Sequence, residues 1–211
     1  MLMVLKVHSW KAFLTSNQTL KKKILITGGA GFIGSHLSEF LLKKKFNVYI
    51  FDNLSTGLKK NIPKKAIFIK GDCANKNHLK KLRKIDFSCI YHLAGQSSGE
   101  YSFYNPLIDF NSNLFGTINI IDLCLSTTNK RIIFSSSMSV YGDAKTKVSE
   151  KQIPSPKSFY GLSKLSAEKY LIFFKKKGLN FTTLRLFNVY GPGQNFENKM
   201  QGMVSIFLDQ A

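Results

Sequence analysis

The segment Thr27-Gly28-Gly29-Ala30-Gly31-Phe32-Ile33-Gly34 constrains this chain more than any other stretch. It follows a short apolar run, Ile24-Leu25-Ile26, and precedes Ile33, Leu37, Phe40 and Leu41, which recur at helical spacing. Glycines placed this way between a strand and a helix have separate jobs. Gly28 permits a tight turn, Gly31 lets the backbone approach a pyrophosphate, and Gly34 lets helix and strand pack closely. The helix then offers free N–H groups and the positive end of its dipole to the phosphates. No Gly-Lys-Ser/Thr follows, so this is not a Walker loop. Asp52 ends the next apolar run, where a carboxylate accepts hydrogen bonds from both adenosine ribose hydroxyls and repels a 2′-phosphate. The expected cofactor is therefore NAD rather than NADP.

The same alternation continues along the chain. Apolar runs at 24–26, 48–51, 66–69, 87–93, 131–135 and 181–187 read as strands. Helical stretches are read over 76–84, 105–126 and 158–177, the last after a loop marked by Pro154 and Pro156. The first helix ends at Lys43-Lys44-Lys45, cations suited to the negative end of a helix dipole. Strands joined by helical crossovers pair in parallel, with helices on both faces. The predicted fold is α/β, a doubly wound parallel sheet of the Rossmann type.

Charge raises a different possibility and then weakens it. The 211 residues carry a formal net charge of +19, enough to suggest nucleic acid. Yet 28 of the 31 basic residues are Lys, and only Arg83, Arg131 and Arg185 could make bidentate contacts. The lysines are scattered beside abundant Ile, Phe and Asn, a bias that AT-rich codons explain. Nucleic acid is not expected as a partner. Nor is a membrane, because lysines interrupt every apolar run before it reaches the roughly 18 residues a spanning helix needs. Cys73, Cys89 and Cys124 form no C-x-x-C pair, and His8, His36, His78 and His92 lie in separate segments. No disulfide framework or metal site is expected, and a reducing cytoplasm is the natural setting. Residues 1–22 read as a loosely attached tail.

A second motif carries chemistry. In Tyr160-Gly161-Leu162-Ser163-Lys164 a phenol and an ammonium lie on one helical face. A Lys beside a Tyr is expected to lower the phenol's pKa and make it a usable proton acceptor. The motif follows Ser135-Ser136-Ser137, at the end of the fifth strand, where open α/β sheets bind ligands. No G-x-S-x-G surrounds those serines, so they are not a nucleophile elbow.

Taken in order, these pieces resemble the extended short-chain dehydrogenase/reductase superfamily, and within it the NAD-dependent nucleotide-sugar epimerases and dehydratases of the UDP-glucose 4-epimerase type. The matching stretches run from T-G-G-A-G-F-I-G-S-H at Thr27 and D-N-L-S-T-G at Asp52 through G-D at Gly71 and H-L-A-G at His92. N-x-x-G-T at Asn113, S-S-S-M-S-V-Y-G at Ser135, Y-x-x-x-K at Tyr160 and R-L-F-N-V-Y-G-P-G at Arg185 complete them. The resemblance implies that Tyr160 is the acid/base, that Lys164 anchors the nicotinamide ribose, and that Ser137 holds the reacting sugar hydroxyl. It also implies cofactor contacts at Phe32, Ile33, Asp52, Asn53, Asp72, Cys73, Leu93, Ala94, Gly95 and Asn113. Phe187 falls beside the nicotinamide and Asn188 at a substrate position. Cys73 is expected to act through its backbone, and His92 to fill the core.

Dehydratases of this type place an acid pair after the serine, and decarboxylating relatives a Glu. Here Met138-Ser139 follows Ser137, so elimination lacks its acid. The resemblance therefore points to 4-epimerisation of a UDP-hexose: transient oxidation at C4, turnover of the 4-keto sugar, and reduction on its other face. A dehydratase or 4-keto reductase is the runner-up, and a non-catalytic nucleotide-binding relative is the alternative of a different class. Gln96-Ser97-Ser98-Gly99-Glu100 departs from the commoner small apolar residues in a loop expected near the sugar. Residues 23–190 are read as the NAD-binding domain and 191–211, with a helix over 200–211, as the start of a substrate lobe. The chain is accordingly expected to be C-terminally truncated, with little or no epimerisation on its own. Homodimers joined through helices at 105–126 and 158–177 are a further implication of the family.

Overall fold

In the computed structural model the apolar runs become β1 (Lys23–Thr27), β2 (Asn47–Asp52), β3 (Ile67–Lys70), β4 (Cys89–His92), β5 (Arg131–Ser137) and β6 (Asn180–Leu186). The structure describes residues 22–143 and 147–194. Residues 1–21 of the tail read over 1–22, and the helix read over 200–211, lie outside the described residues. The six strands form one sheet in the order β3-β2-β1-β4-β5-β6, and every neighbouring pair is parallel. This is the expected Rossmann-type sheet. Its order reverses between β1 and β4, which opens a crevice beyond the carboxyl ends of those strands.

Both faces of the central strands are covered, which is why their sequences run apolar without alternation. On one face Leu25, Phe51, Ile90 and Phe134 pack with Ile120, Leu123, Ala167 and Leu171, from helices α5 (Gly116–Leu125) and α6 (Phe159–Phe174). On the other, Ile24, Ile26, Ile50 and Tyr91 pack with Leu41 of helix α1 (Phe32–Lys43). Each large side chain buried fully in this way contributes about 1.5–3 kcal/mol. The largest fully buried ones, Phe51, Phe87 and Phe134, sit on or beside the sheet.

The helices differ in detail from the periodicity reading. The stretch over 76–84 is α2 (Lys76–Leu79) followed by a 3₁₀ turn at Leu82–Lys84. Leu79 and Leu82 are both buried three residues apart, a spacing the tighter turn satisfies. The helix expected over 105–126 runs without a gap from Pro106 to Leu125, as α4 (Pro106–Asp109), a π-helical turn (Phe110–Phe115) and α5. Pro106 cannot donate backward and disfavours helical geometry at Asn105, so the chain restarts there. Helix α3 (Gly99–Tyr104), which periodicity did not reveal, begins where Ser98 Oγ accepts from the Tyr101 N–H at 3.1 Å. Helix α6 starts on the same kind of cap, Ser158 accepting from Gly161 N–H at 3.0 Å. It ends through a lysine-rich 3₁₀ turn at Gly178, whose φ of 83° suits glycine.

Candidate active site

The loop after β1 is tied to the sheet and left open toward solvent. Gly28 turns with φ 70° and donates to the Phe51 carbonyl at 2.9 Å. A Cβ on Gly34 would stand 2.2 Å from the Gly28 carbonyl oxygen, so only glycine allows α1 to sit this close to the turn. A Cβ on Gly31 meets only that same oxygen, at 3.3 Å. Helix α1 starts at Phe32 with no side-chain cap, leaving its first-turn amides to be satisfied by something else. Phe32 packs edge-on against His36 with ring centres 5.0 Å apart, and Ile33 is exposed.

Asp52, at the carboxyl end of β2, is locked to that loop. Its Oδ2 accepts from Ala30 N–H at 3.0 Å and its Oδ1 from Leu54 N–H at 2.8 Å. A carboxylate offers about four acceptor sites, so two remain for a ligand. Beside it Asn53 donates to Asp72 Oδ2 at 2.9 Å, and Asp72 Oδ1 accepts from Ala74 N–H at 2.7 Å. The Cys73 thiol is buried, and that burial holds its pKa far above the ordinary thiol range, so it stays an unreactive SH. Its carbonyl accepts from Asn119 at 3.0 Å.

Past β4, Leu93 N–H donates to the Thr27 carbonyl at 3.1 Å and Ala94 N–H to the Thr27 hydroxyl at 3.3 Å. Gly95 then brings the backbone against two polar groups. A Cβ there would lie 2.4 Å from Asn113 Oδ1 and 3.4 Å from Lys164 Nζ. Asn113 Oδ1 is buried and lacks a hydrogen-bond partner, whereas its Nδ2 donates to Asp109 Oδ1 and to the Gln96 carbonyl.

Ser137 is the last residue of β5. Its Oγ accepts from Ser139 N–H at 3.1 Å, which caps a 3₁₀ turn at Met138–Val140. Tyr160 and Lys164 lie one turn apart on α6 and are 8% and 4% exposed. The α6 register is set from two sides: Tyr160 N–H donates to Ser102 Oγ at 3.1 Å, and Ser158 caps the helix. The Lys164 ammonium lies over the Phe134 ring at 5.0 Å and the Tyr160 ring at 5.8 Å.

Burial, rather than the lysine, dominates the proton affinities. It raises the Tyr160 pKa; the Ser137 hydroxyl pulls the other way, and the Asp109 charge adds to the rise. It lowers Lys164 to about 8, against the Asp109 charge, which holds it up. The expectation that Lys164 depresses Tyr160 is thus corrected for the protein without ligand: both groups are out of water, and desolvation penalises the ion in each.

Phe187 and Asn188 follow β6 directly, whose register sets Leu186 opposite Ser137, and both are exposed. Gln96, expected near a sugar, instead spends its side chain on the protein. Its amide donates to Asp109 Oδ1 and the Ser98 carbonyl, both at 2.8 Å, and its Oε1 accepts from Ser98 N–H.

Two further residues join the site unannounced by motif reading. Glu168, one turn beyond Lys164, accepts from Ser136 Oγ at 2.5 Å and from both the Nε and Nη2 of Arg185, at 3.0 and 2.7 Å. The face Tyr160, Lys164, Glu168 was visible as an i, i+4, i+8 series. Asp109 carried a fainter signal, an acid set among apolar residues four positions before Asn113. Among the described residues no group of three or more His, Cys, Asp or Glu is placed to hold a metal ion. No helix among them is long and apolar enough to cross a membrane.

Comparison with known proteins finds relatives along most of this chain. A putative UDP-glucose 4-epimerase of Methanocaldococcus jannaschii is 39% identical over 190 residues, covering 89% of this chain and 62% of the relative. The UDP-glucose 4-epimerase of Thermus thermophilus, solved in complex with NAD, superposes with a TM-score of 0.82 at 34% identity, over 89% of this chain and 60% of that one. That of Thermotoga maritima, solved with UDP-glucose, gives a TM-score of 0.84 at 35% identity, over 89% and 62%. The chain therefore spans about three fifths of the length of these relatives. Over residues 24–211 it matches the model of one family, and it belongs to that NAD dependent epimerase/dehydratase family.

Proposed function

We propose that this protein is an NAD-dependent nucleotide-sugar 4-epimerase acting on a UDP-hexose, with Tyr160 moving the proton on O4. One observation carries the reading: a buried Tyr160–Lys164 pair and Ser137 stand at the same carboxyl edge of the sheet as the Asp52-locked glycine loop. NAD fits the residues present. The uncapped α1 start suits a pyrophosphate, Asp52 has spare acceptor capacity for a ribose diol, and the orphaned Asn113 Oδ1 awaits a donor. Gly28, Gly31, Phe32, Ile33 and Gly34 would hold the phosphates, with Asp52, Asn53, Asp72 and Cys73 on the adenosine side. Leu93, Ala94, Gly95, Asn113, Tyr160, Lys164 and Phe187 would hold the nicotinamide end. When bound, NAD supplies the transient oxidation at the sugar's C4.

The chain's own residues then handle position and protons. Tyr160 accepts the O4 proton and returns it, Ser137 orients the reacting hydroxyl and stabilises the phenolate that burial otherwise disfavours, and Lys164 anchors the nicotinamide ribose. Asn188 contributes to sugar binding. Met138 and Ser139 provide no carboxylate for elimination, so 4-epimerisation is favoured over dehydration. Tyr160 and Lys164 are both present, which argues against a non-catalytic sensor. Three buried free cysteines suit a reducing cytoplasm.

The partner expected from the family is a second copy. Leu107 and Leu162 are 75% and 51% exposed, and they line an open apolar groove of about 300 Å³ with Pro106, Phe110, Leu114 and Phe159. An apolar strip shared by two adjacent helices suits a helical dimer interface.

The test is an NMR time course with a UDP-hexose and NAD, in a chain extended to the relatives' length. Tyr160→Phe should keep NAD binding while turnover falls by roughly 10²–10⁴. Unchanged turnover in that variant would refute the assignment.

A further inference from the structure

We propose that Asp109 is a positioning residue of this site, a buried carboxylate that ties the loop after β4 to the Tyr160–Lys164 helix and supplies the negative charge opposing the Lys164 ammonium. The proposal rests on the reading of Tyr160 and Lys164 given above.

Asp109 is fully buried at the end of α4. Three donors converge on it from three parts of the chain. Its Oδ1 accepts from Gln96 Nε2 in the loop after β4 and from Asn113 Nδ2 in the π-helical turn, both at 2.8 Å. Its Oδ2 accepts from Ser163 Oγ at 2.6 Å, on α6 next to Lys164. A π-turn widens the helix by a residue and is frequent at functional sites. Here Asp109 immediately precedes that turn and Asn113 lies inside it.

The junction has a structural and an electrostatic consequence. Gln96 closes the Ser98 backbone on both sides, so the shape of the loop that reaches toward the sugar is set through Asp109. Asn113 is held by its amide to Asp109, which leaves Oδ1 facing the Gly95 backbone close to Lys164 Nζ. All three donors to Asp109 are neutral, so hydrogen bonds satisfy the carboxylate without neutralising it. A buried charge of that kind is costly unless an opposite charge lies near. The groups facing Lys164 are Tyr160 on its own helix, His92 on β4 and Asp109 on α4; Glu168, a turn further, is engaged by Arg185. Of the three, Asp109 is the anion, and its charge opposes the downward push of burial on Lys164.

Asp109→Asn separates charge from geometry. The asparagine oxygen still accepts from Gln96 and Asn113, and its amide donates to the Ser163 hydroxyl, which can accept. Only the charge is lost. Ser163→Ala does the reverse, removing one hydrogen bond and keeping the charge. The measurement is NMR titration of the Lys164 side-chain ¹³Cε resonance in the apo chain across pH 6–11, which reads the ionisation of this buried group in place. The native midpoint should lie near 8, fall by about one pH unit in Asp109→Asn, and stay put in Ser163→Ala. Asp109→Ser, a smaller neutral acceptor, serves as a second variant if Asp109→Asn does not fold. An unshifted Lys164 midpoint in a folded Asp109 variant overturns the proposal, because a purely structural Asp109 would leave the lysine's ionisation alone. Calorimetric titration of the native chain with NAD tests the cofactor reading separately, since the NMR titration does not depend on NAD.

Discussion

Charging His92 should destabilise this protein at the centre of its sheet. His92 ends β4, is fully buried, and stacks on Phe134 with ring centres 5.9 Å apart. Its Nε2 lies 2.9 Å from Thr117 Oγ1, and that hydroxyl already donates its proton to the Asn113 carbonyl at 2.5 Å. Thr117 can therefore only accept from the ring, so Nε2 carries the hydrogen and Nδ1 accepts from the Thr27 hydroxyl at 2.7 Å. A second proton on Nδ1 would leave the Thr27 hydroxyl hydrogen without its acceptor. Burial, reinforced by the Lys164 charge, lowers the His92 pKa from 6.5 to about 3. The unfolded chain takes up a proton below 6.5 that the native state refuses, so stability is whole above that pH and falls as pH falls toward 3. Each pH unit in that window is worth about 1.4 kcal/mol, so moving from pH 7.5 to 5 should remove about 2 kcal/mol. Against a typical total of roughly 5–15 kcal/mol this is easily measured. Urea unfolding followed by circular dichroism at the two pH values, on the native protein and His92→Gln, isolates the effect. The native protein should lose about 2 kcal/mol more than the variant across the interval. Equal losses in both would show that His92 is not the group responsible, and that the packing argument for its neutrality is wrong.

Asp52→Ala should weaken the preference for NAD over NADP, measured by calorimetric titration of both nucleotides, and tighter NADP binding by the native protein would overturn the ribose argument. Arg185→Met should destabilise by about 3–5 kcal/mol, because Glu168, 8% exposed at its side chain, loses its bidentate partner; urea unfolding reads this, and a loss under about 1 kcal/mol would show the pair to be dispensable. Leu162→Arg places a charge in the apolar groove and should convert a dimer to a monomer by light scattering, while a native protein that is monomeric at high concentration rules that interface out.

The parts of this protein readable without a structure are those decided by neighbours along the chain. Apolar runs of three to seven residues revealed the strands, because side chains buried on both faces need no alternation. The glycines at 28, 31 and 34 announced a strand-to-helix turn, since backbone geometry at such a turn excludes side chains locally. Tyr160 and Lys164 were placed together by helical spacing alone. Packing between distant segments decided the rest. Ser163 and Asp109 lie 54 residues apart in sequence, and Thr27 and His92 lie 65 apart. Their contacts exist only because β4 falls beside β1 and α6 falls beside α4. Gln96 looked available for a ligand until the fold gave its side chain a carboxylate and a backbone to hold. The proton affinities of Tyr160 and Lys164 followed the same rule. Sequence placed the ammonium beside the phenol, but the extent of burial, which outweighs that neighbour, is a property of everything packed around them.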